Sequence, residues 1–236
     1  MRKYLEEVIQ RRDYLSNLSN YLDRYFNNKL SIADTMYNSN KIEGSSLTLG
    51  QTIEVLNSNI ANTVEEKEVL GLNKAMDYFK SYYTVKPEIN DLEILHKLLM
   101  EDIRPSAAGV FRVGDSYTYV RLPDTTIKRH YYIDHDKIEE SIKELFNRQV
   151  RTIDDAILFK LDLAQIHPFV DGNGRVSRLI FNWLLIKLNY PPITFKGDEY
   201  SKERYIDAFV SYSLYKEVLP LTELVEEELF NVLKTF

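Results

Sequence analysis

The sequence predicts a mostly α protein with one short β-hairpin, and three observations carry that expectation. Across 236 residues there are only 8 Gly and 7 Pro, so few points interrupt a helix. Between them, apolar residues recur three or four apart, the spacing of one helix face. A single stretch, Gly109 to Ile133, breaks that rhythm with β-branched and aromatic residues and a Pro-Asp turn signal.

Taken in order, Leu5, Val8, Ile9, Leu15, Leu18, Leu22 and Tyr25 predict one amphipathic helix within the first 29 residues, with a single wider gap in its stripe. A shorter helix is expected from Ile32 to Glu43, stopped by Gly44, a residue that tolerates left-handed angles. Another runs from Thr48 to Ile60. Thr63 reads as an N-cap ahead of Glu65 and Glu66, opening a helix to Tyr83 that Lys86-Pro87 closes off. Asn90 with Glu93 resembles a capping box for a helix through Met100. Strands are expected at Ser116 to Arg121 and Thr126 to Tyr132, then helices at 134–150, 153–166, 174–188, 201–215 and 220–236.

Lys plus Arg number 30 against 36 Asp plus Glu, a net charge of -6. Broad electrostatic capture of nucleic acid or anionic membrane is therefore not expected, and any phosphate site must be local. With no Cys, thiol catalysis, disulfide scaffolds and Cys-based zinc sites are excluded. The N-terminus has no apolar leader and no run suits a membrane span, so a soluble cytoplasmic protein is expected.

The informative segment is LAQIHPFVDGNGRVSRLIFNWLL, residues 163–185. Pro168 disfavours helical angles at His167, which places the imidazole at a helix–loop junction. Asp171, Gly172, Asn173 and Gly174 then lead into a new helix, where converging N–H groups and the helix dipole favour an anion. Arg175 and Arg178 sit three apart in the first turn, where cations oppose the dipole and repel each other. A bound polyphosphate reverses both penalties. Asp171 alone cannot cage a divalent ion, so phosphate oxygens and water must complete a Mg2+ shell. His167 has the side chain best suited to act as general base near neutral pH.

His167-Pro168-Phe169-Val170-Asp171-Gly172-Asn173-Gly174-Arg175-Val176-Ser177-Arg178 resembles the full signature of the Fic family, whose Fido fold is shared with the Doc toxins. Gly109-Val110-Phe111-Arg112 and Leu95-His96 are similar to flanking family segments. The resemblance implies a helical Fido core with a β-hairpin flap that holds a target segment by strand addition. It also implies transfer of AMP from Mg-ATP to a Tyr, Ser or Thr hydroxyl. In that reading His167 deprotonates the hydroxyl and Asp171 holds Mg2+. Gly172, Asn173 and Gly174 form the hole around the α-phosphate, Arg175 binds the β/γ-phosphates, and Arg178 binds the γ-phosphate. Asn182 and Tyr205 are candidates for the adenine pocket.

Ser39-Asn40-Lys41-Ile42-Glu43-Gly44 resembles the family's inhibitory motif. Ser39 and Glu43 share a helix face, and Glu43 lies in a last turn whose dipole disfavours an anion. The resemblance implies that Glu43 pairs with Arg178 and restrains the enzyme, the arrangement with an N-terminal inhibitory helix. The chain then divides into residues 1–88, which carry that helix, a Fido domain at 89–228, and the end of the last helix at 229–236. ATP and a protein target, the chain itself included, are the expected partners, and the amphipathic N-terminal helix offers a homodimer surface. Use of another nucleotide, removal of AMP, and an idle nucleotide-binding adaptor are the alternatives.

Other residues have plainer readings. His96 is expected as a hydrogen-bonded core histidine, His130 and His135 as exposed, and Glu226, Glu227 and Glu228 as a solvated helix face. No His pair has zinc-hydrolase spacing.

Overall fold

The computed structural model describes residues 4–14, 18–121 and 125–234. Two helices, α1 (Leu5–Tyr14) and α2 (Leu18–Asn27), occupy the stretch expected as one. The wider gap in the apolar stripe marks the difference: Ile9, expected on the buried face, is 36% exposed, α1 packs on the last helix of the chain, and α2 packs on α3. Leu15 lies outside the described residues.

The next four helices begin where short polar side chains satisfy free N–H groups. α3 (Lys29–Ile42) starts earlier than expected because Asn28 Oδ1 accepts from the Leu30 and Ser31 amides. It ends at Glu43, with Gly44 at φ 102°. α4 (Leu49–Ser58) carries a Thr48–Gln51 capping box, and α5 (Val64–Tyr82) a Thr63–Glu66 box. In α6 (Ile89–Met100) the expected Asn90–Glu93 box is displaced: the Asp91 carboxylate accepts from the Glu88 amide at 2.7 Å.

Strands β1 (Tyr117–Arg121) and β2 (Ile127–Tyr131) form an antiparallel hairpin in which Tyr117 faces Tyr131 and Arg121 faces Ile127. Val120 is buried, whereas Tyr117, Tyr119 and Tyr131 stand on the exposed face. α7 (Ile138–Asn147), α8 (Ile153–Ile166), α9 (Asn173–Lys187), α10 (Glu199–Tyr215) and α11 (Leu219–Leu233) complete the fold.

The axis of the protein is α9. All twelve residues from Arg175 to Ile186 are buried, as expected of a helix surrounded by others, and it packs against α3, α5, α6 and α8. One hydrophobic cluster runs from Val8 to Leu233. Because α3 and α5 touch α9 directly, side chains far upstream in sequence reach its first turn. Two plain readings are corrected here. Glu226 is fully buried on the core face of α11, Glu227 pairs with Arg204, and burial pushes the Glu228 carboxyl up to about 7. His130 is half-buried, because its alternate position in β2 turns it toward the protein.

Candidate active site

The candidate site is built where α8 stops and α9 starts. His167 adopts left-handed angles, φ 48° and ψ 60°, as the C-cap of α8: the helix ends where Pro168 disfavours its continuation, but in the left-handed rather than the extended region. Its ring stacks on Tyr132, which follows β2, with centroids 3.8 Å apart. Burial, reinforced by the Arg112 cation, lowers its pKa to about 4, while the Glu43 and Asp171 carboxylates and a hydrogen bond to the Ala164 backbone act the other way. The imidazole is thus neutral at physiological pH and able to accept a proton.

The loop that follows is held from several sides. Asn173 Oδ1 accepts from the Phe169 amide at 2.9 Å and its Nδ2 donates to the Phe169 carbonyl at 2.8 Å. His96, 1% exposed, stacks on Phe169 at 3.6 Å. Its Nδ1 accepts from the Gly109 amide, which leaves the proton on Nε2 to be donated to the Asp171 carbonyl at 3.0 Å. The core-histidine expectation holds, and that core histidine braces the site. Buried Arg112 donates to the carbonyls of His167, Gly114 and Ile133, joining the base of the hairpin to the loop.

Gly172, at φ 74°, caps α9 in the left-handed region, where a side chain is costly. Gly174 answers a different need: a Cβ there would collide with the Glu43 carboxylate. That carboxylate therefore lies directly over the start of α9, where an anion is favoured. Arg178 donates from Nη2 to Glu43 Oε1 at 2.7 Å and to the Ser39 carbonyl at 2.9 Å, and from Nε to Ser39 Oγ at 2.9 Å. Burial alone would raise the Glu43 carboxyl, but the Arg178 guanidinium wins and holds it below the usual range.

Arg175 is 2% exposed. Its Nη1 lies 2.9 Å from Glu68 Oε1 and its Nη2 lies 3.7 Å from Asp171 Oδ1. Asp171 is exposed and also accepts from the Gly172 amide at 2.7 Å. A cleft of about 340 Å³ brings together His167, Asn173, Gly174, Arg178, Tyr205 and Glu43, with Thr118, Val120, His130 and Tyr132 on the hairpin side. Arg175 and Asn182 do not line it. Asn182 instead exchanges both its amide groups with the Ile193 backbone, at 2.9 and 3.0 Å, and so fixes the segment after α9. The Tyr205 ring centroid is 6.0 Å from the Arg178 Cζ.

A match to the Fic/DOC family covers residues 86–185. The chain carries a Fic/DOC family domain. Among relatives, the protein adenylyltransferase Fic of Drosophila virilis is 33% identical over 173 residues, covering 71% of this chain and 35% of that protein. That of Drosophila erecta is 32% identical over 206 residues, covering 84% and 41%. The chain thus spans about two-fifths or less of the length of these relatives. The fold agrees with Fic-1 of C. elegans (aa134 - 508), at TM-score 0.81 and 23% identity over 99% of this chain and 71% of that one. It also agrees with a Fic domain containing signaling protein from Bacteroides thetaiotaomicron, at TM-score 0.79 and 20% identity over 98% and 94%.

Sequence reasoning noted Arg112 only within a flanking family segment and gave it no role, and it missed Glu68 and Tyr132 as parts of the candidate site and Lys160 beside it. Lys160 is fully buried among the rings of Phe181, Phe195, Tyr205 and Phe209, with Nζ 3.2 Å from Ser177 Oγ. Its signal was visible as a lysine inside the otherwise apolar run Ala156 to Leu161. Glu68 and Tyr132 left no comparable mark.

Proposed function

We propose that this chain is a protein adenylyltransferase that transfers AMP from Mg-ATP to a Tyr, Ser or Thr hydroxyl of a protein, restrained by its own Glu43. The observation that carries the reading is the meeting of a neutral His167 with a glycine-rich helix start whose anion position is filled by Glu43 at 2.7 Å from Arg178. A helix N-terminus that needs an anion and has borrowed a carboxylate is matched to a polyphosphate.

The α-phosphate lies against the amides of Gly172, Asn173 and Gly174, with the Asn173 side chain keeping the loop in shape from behind. The target hydroxyl oxygen bonds to the α-phosphorus as the bond to the β-phosphate oxygen breaks, pyrophosphate leaves with that electron pair, and His167 takes the hydroxyl proton. Arg178 and Arg175 stabilise charge on the outer phosphates. The exposed Asp171 carboxylate suits Mg2+, and no three acidic or histidine side chains cluster among the described residues, so phosphate oxygens and water supply the other ligands. When bound, Mg2+ neutralises charge shared by the α- and β-phosphates. Tyr205 supplies an aromatic wall of the nucleotide pocket. No helix among the described residues is long and apolar enough to cross a membrane.

Wild type, Glu43→Gly and His167→Ala incubated with α-labelled ATP and candidate proteins, followed by mass spectrometry, test the reading. Glu43→Gly is expected to raise AMP incorporation roughly tenfold or more, a change of about 1.4 kcal/mol in barrier or binding. His167→Ala is expected to lower it by roughly 10²–10⁴-fold. Absence of any AMP adduct from Glu43→Gly refutes the activity, and equal incorporation by wild type and Glu43→Gly refutes the restraint.

A further inference from the structure

The two arginines of the site are held by two carboxylates with very different footing. Glu43 is the C-cap of α3, where the helix dipole repels it, and its side chain is 33% exposed. Glu68 lies in the second turn of α5, toward the end that favours an anion, and its side chain is 19% exposed. α5 itself cannot shift easily. Gly71 packs so closely on α6 that a Cβ would stand 2.5 Å from the Leu99 carbonyl oxygen, and α6 also carries His96, the brace of the Asp171 carbonyl.

The partner of Glu68 is equally fixed. Arg175 has its guanidinium in the protein interior, and a buried cation stripped of its counter-charge is strongly unfavourable. Asp171 is the other carboxylate within reach, but it is exposed, 3.7 Å away, and already engaged by the Gly172 amide. Glu68 is therefore the principal counter-ion of Arg175, through an ion pair at 2.9 Å rather than an aligned hydrogen bond, since buried Nη1 and Nε make none. Glu43 is the carboxylate that yields to an incoming phosphate, and Glu68 is the one that remains.

We propose that Glu68 is a positioning residue for nucleotide binding: from the rigid α5 its charge anchors the Arg175 guanidinium in place, so that the edge toward Asp171 is presented to the polyphosphate. The role rests on the nucleotide reading above and adds a residue to it. It is the opposite of the role of Glu43. Removing Glu43 frees an arginine, whereas removing Glu68 lets one go astray.

The test is calorimetric binding of the non-transferable analogue α,β-methylene-ATP with MgCl2, to Glu43→Gly and to the double variants that add Glu68→Ala or Glu68→Gln. Glu68→Ala is expected to weaken binding roughly tenfold. Glu68→Gln, which keeps an oxygen acceptor on a side chain of the same length but removes the counter-charge, is expected to restore only part of that loss. In steady-state AMP transfer the loss falls on the ATP KM rather than on kcat. Unchanged or tighter binding in both double variants overturns the positioning role, as does equal weakening in both. If the Glu43→Gly parent binds no analogue, the nucleotide reading itself fails. A parent that binds but is insensitive to Glu68 overturns only the role of Glu68. Should Glu68→Ala fold poorly, the comparison of Glu68→Gln with its parent still decides: weaker binding supports positioning, and unchanged or tighter binding overturns it.

Discussion

Two kinds of helix end occur in this protein. At α5 and α8 the first turns carry Glu65 and Glu66, and Asp154 and Asp155, behind Thr caps, so charge and dipole agree. At the site they disagree: α9 opens with Arg175 and Arg178, and α3 closes on Glu43. Each end is badly charged alone, and the structure makes them tolerable by facing one against the other. Helix ends that only need to be stable follow the dipole, whereas those that meet at the site break it and are corrected across the tertiary structure.

The largest effect expected from breaking that correction comes from Arg178→Ala. It leaves the Glu43 carboxylate and the Ser39 carbonyl without their donor, and breaking one side of a buried pair typically costs about 3–5 kcal/mol. Because Glu43 is one-third exposed, a loss of roughly 2–3 kcal/mol by urea unfolding is expected here, with much of it regained when Glu43→Gly is added. Additive losses in the double variant would show that the two helix ends are independent.

How much of this was legible in the sequence follows from where the information lies. The site loop was readable because its residues, His167 to Arg178, are contiguous and each is constrained by its neighbours: Pro168 bends the chain, the glycines open it, and the arginines are misplaced for anything but an anion. Glu43 was readable for the same local reason, a wrong charge at a helix end. Its pairing with Arg178, 135 residues away, came only from the family resemblance. Arg112 was marked only by the family resemblance of its segment, and neither it nor Glu68 was readable as a support from local chemistry, since their value lies in contacts 55 and 107 residues away along the chain. Helices were legible from apolar spacing and caps, yet the same spacing hid the division of α1 from α2. Glu226 defeated composition outright, because a run of three acids on one helix spans more than one face.

The next effect links the core to the site through pH. His96 is held neutral by burial, its pKa lowered to about 4 against 6.5 for a free imidazole, and His167 shares the direction. The unfolded chain binds protons at these histidines as pH falls below about 6.5, whereas the folded chain resists until about 4. Stability is therefore complete above pH 6.5 and is lost progressively as pH falls through that window. The slope from His96 is on the order of 1 kcal/mol per pH unit. Thermal unfolding between pH 7 and 5 measures it, and His96→Gln is expected to flatten the slope while lowering stability at pH 7. A slope that survives in His96→Gln at full strength assigns it elsewhere.

The smallest effect sharpens the other half of the comparison. Thr63 accepts the Glu66 amide, and the Glu66 carboxylate accepts the Thr63 and Asn62 amides at 2.8 and 2.6 Å. The box lies outside the candidate cleft and has no anion to bind. Thr63→Ala is expected to cost about 1 kcal/mol, the ordinary value of an N-cap, and to leave nucleotide binding unchanged because the rest of α5 remains docked on α6. Arg178→Ala, by contrast, changes stability and binding together. If Thr63→Ala weakened binding as well, the fraying of α5 would have reached Glu68, five residues away, and the rigidity on which Arg175 depends would begin at the helix cap rather than at the packed Gly71. Measuring both quantities on the one variant therefore locates where structural support ends and the site begins.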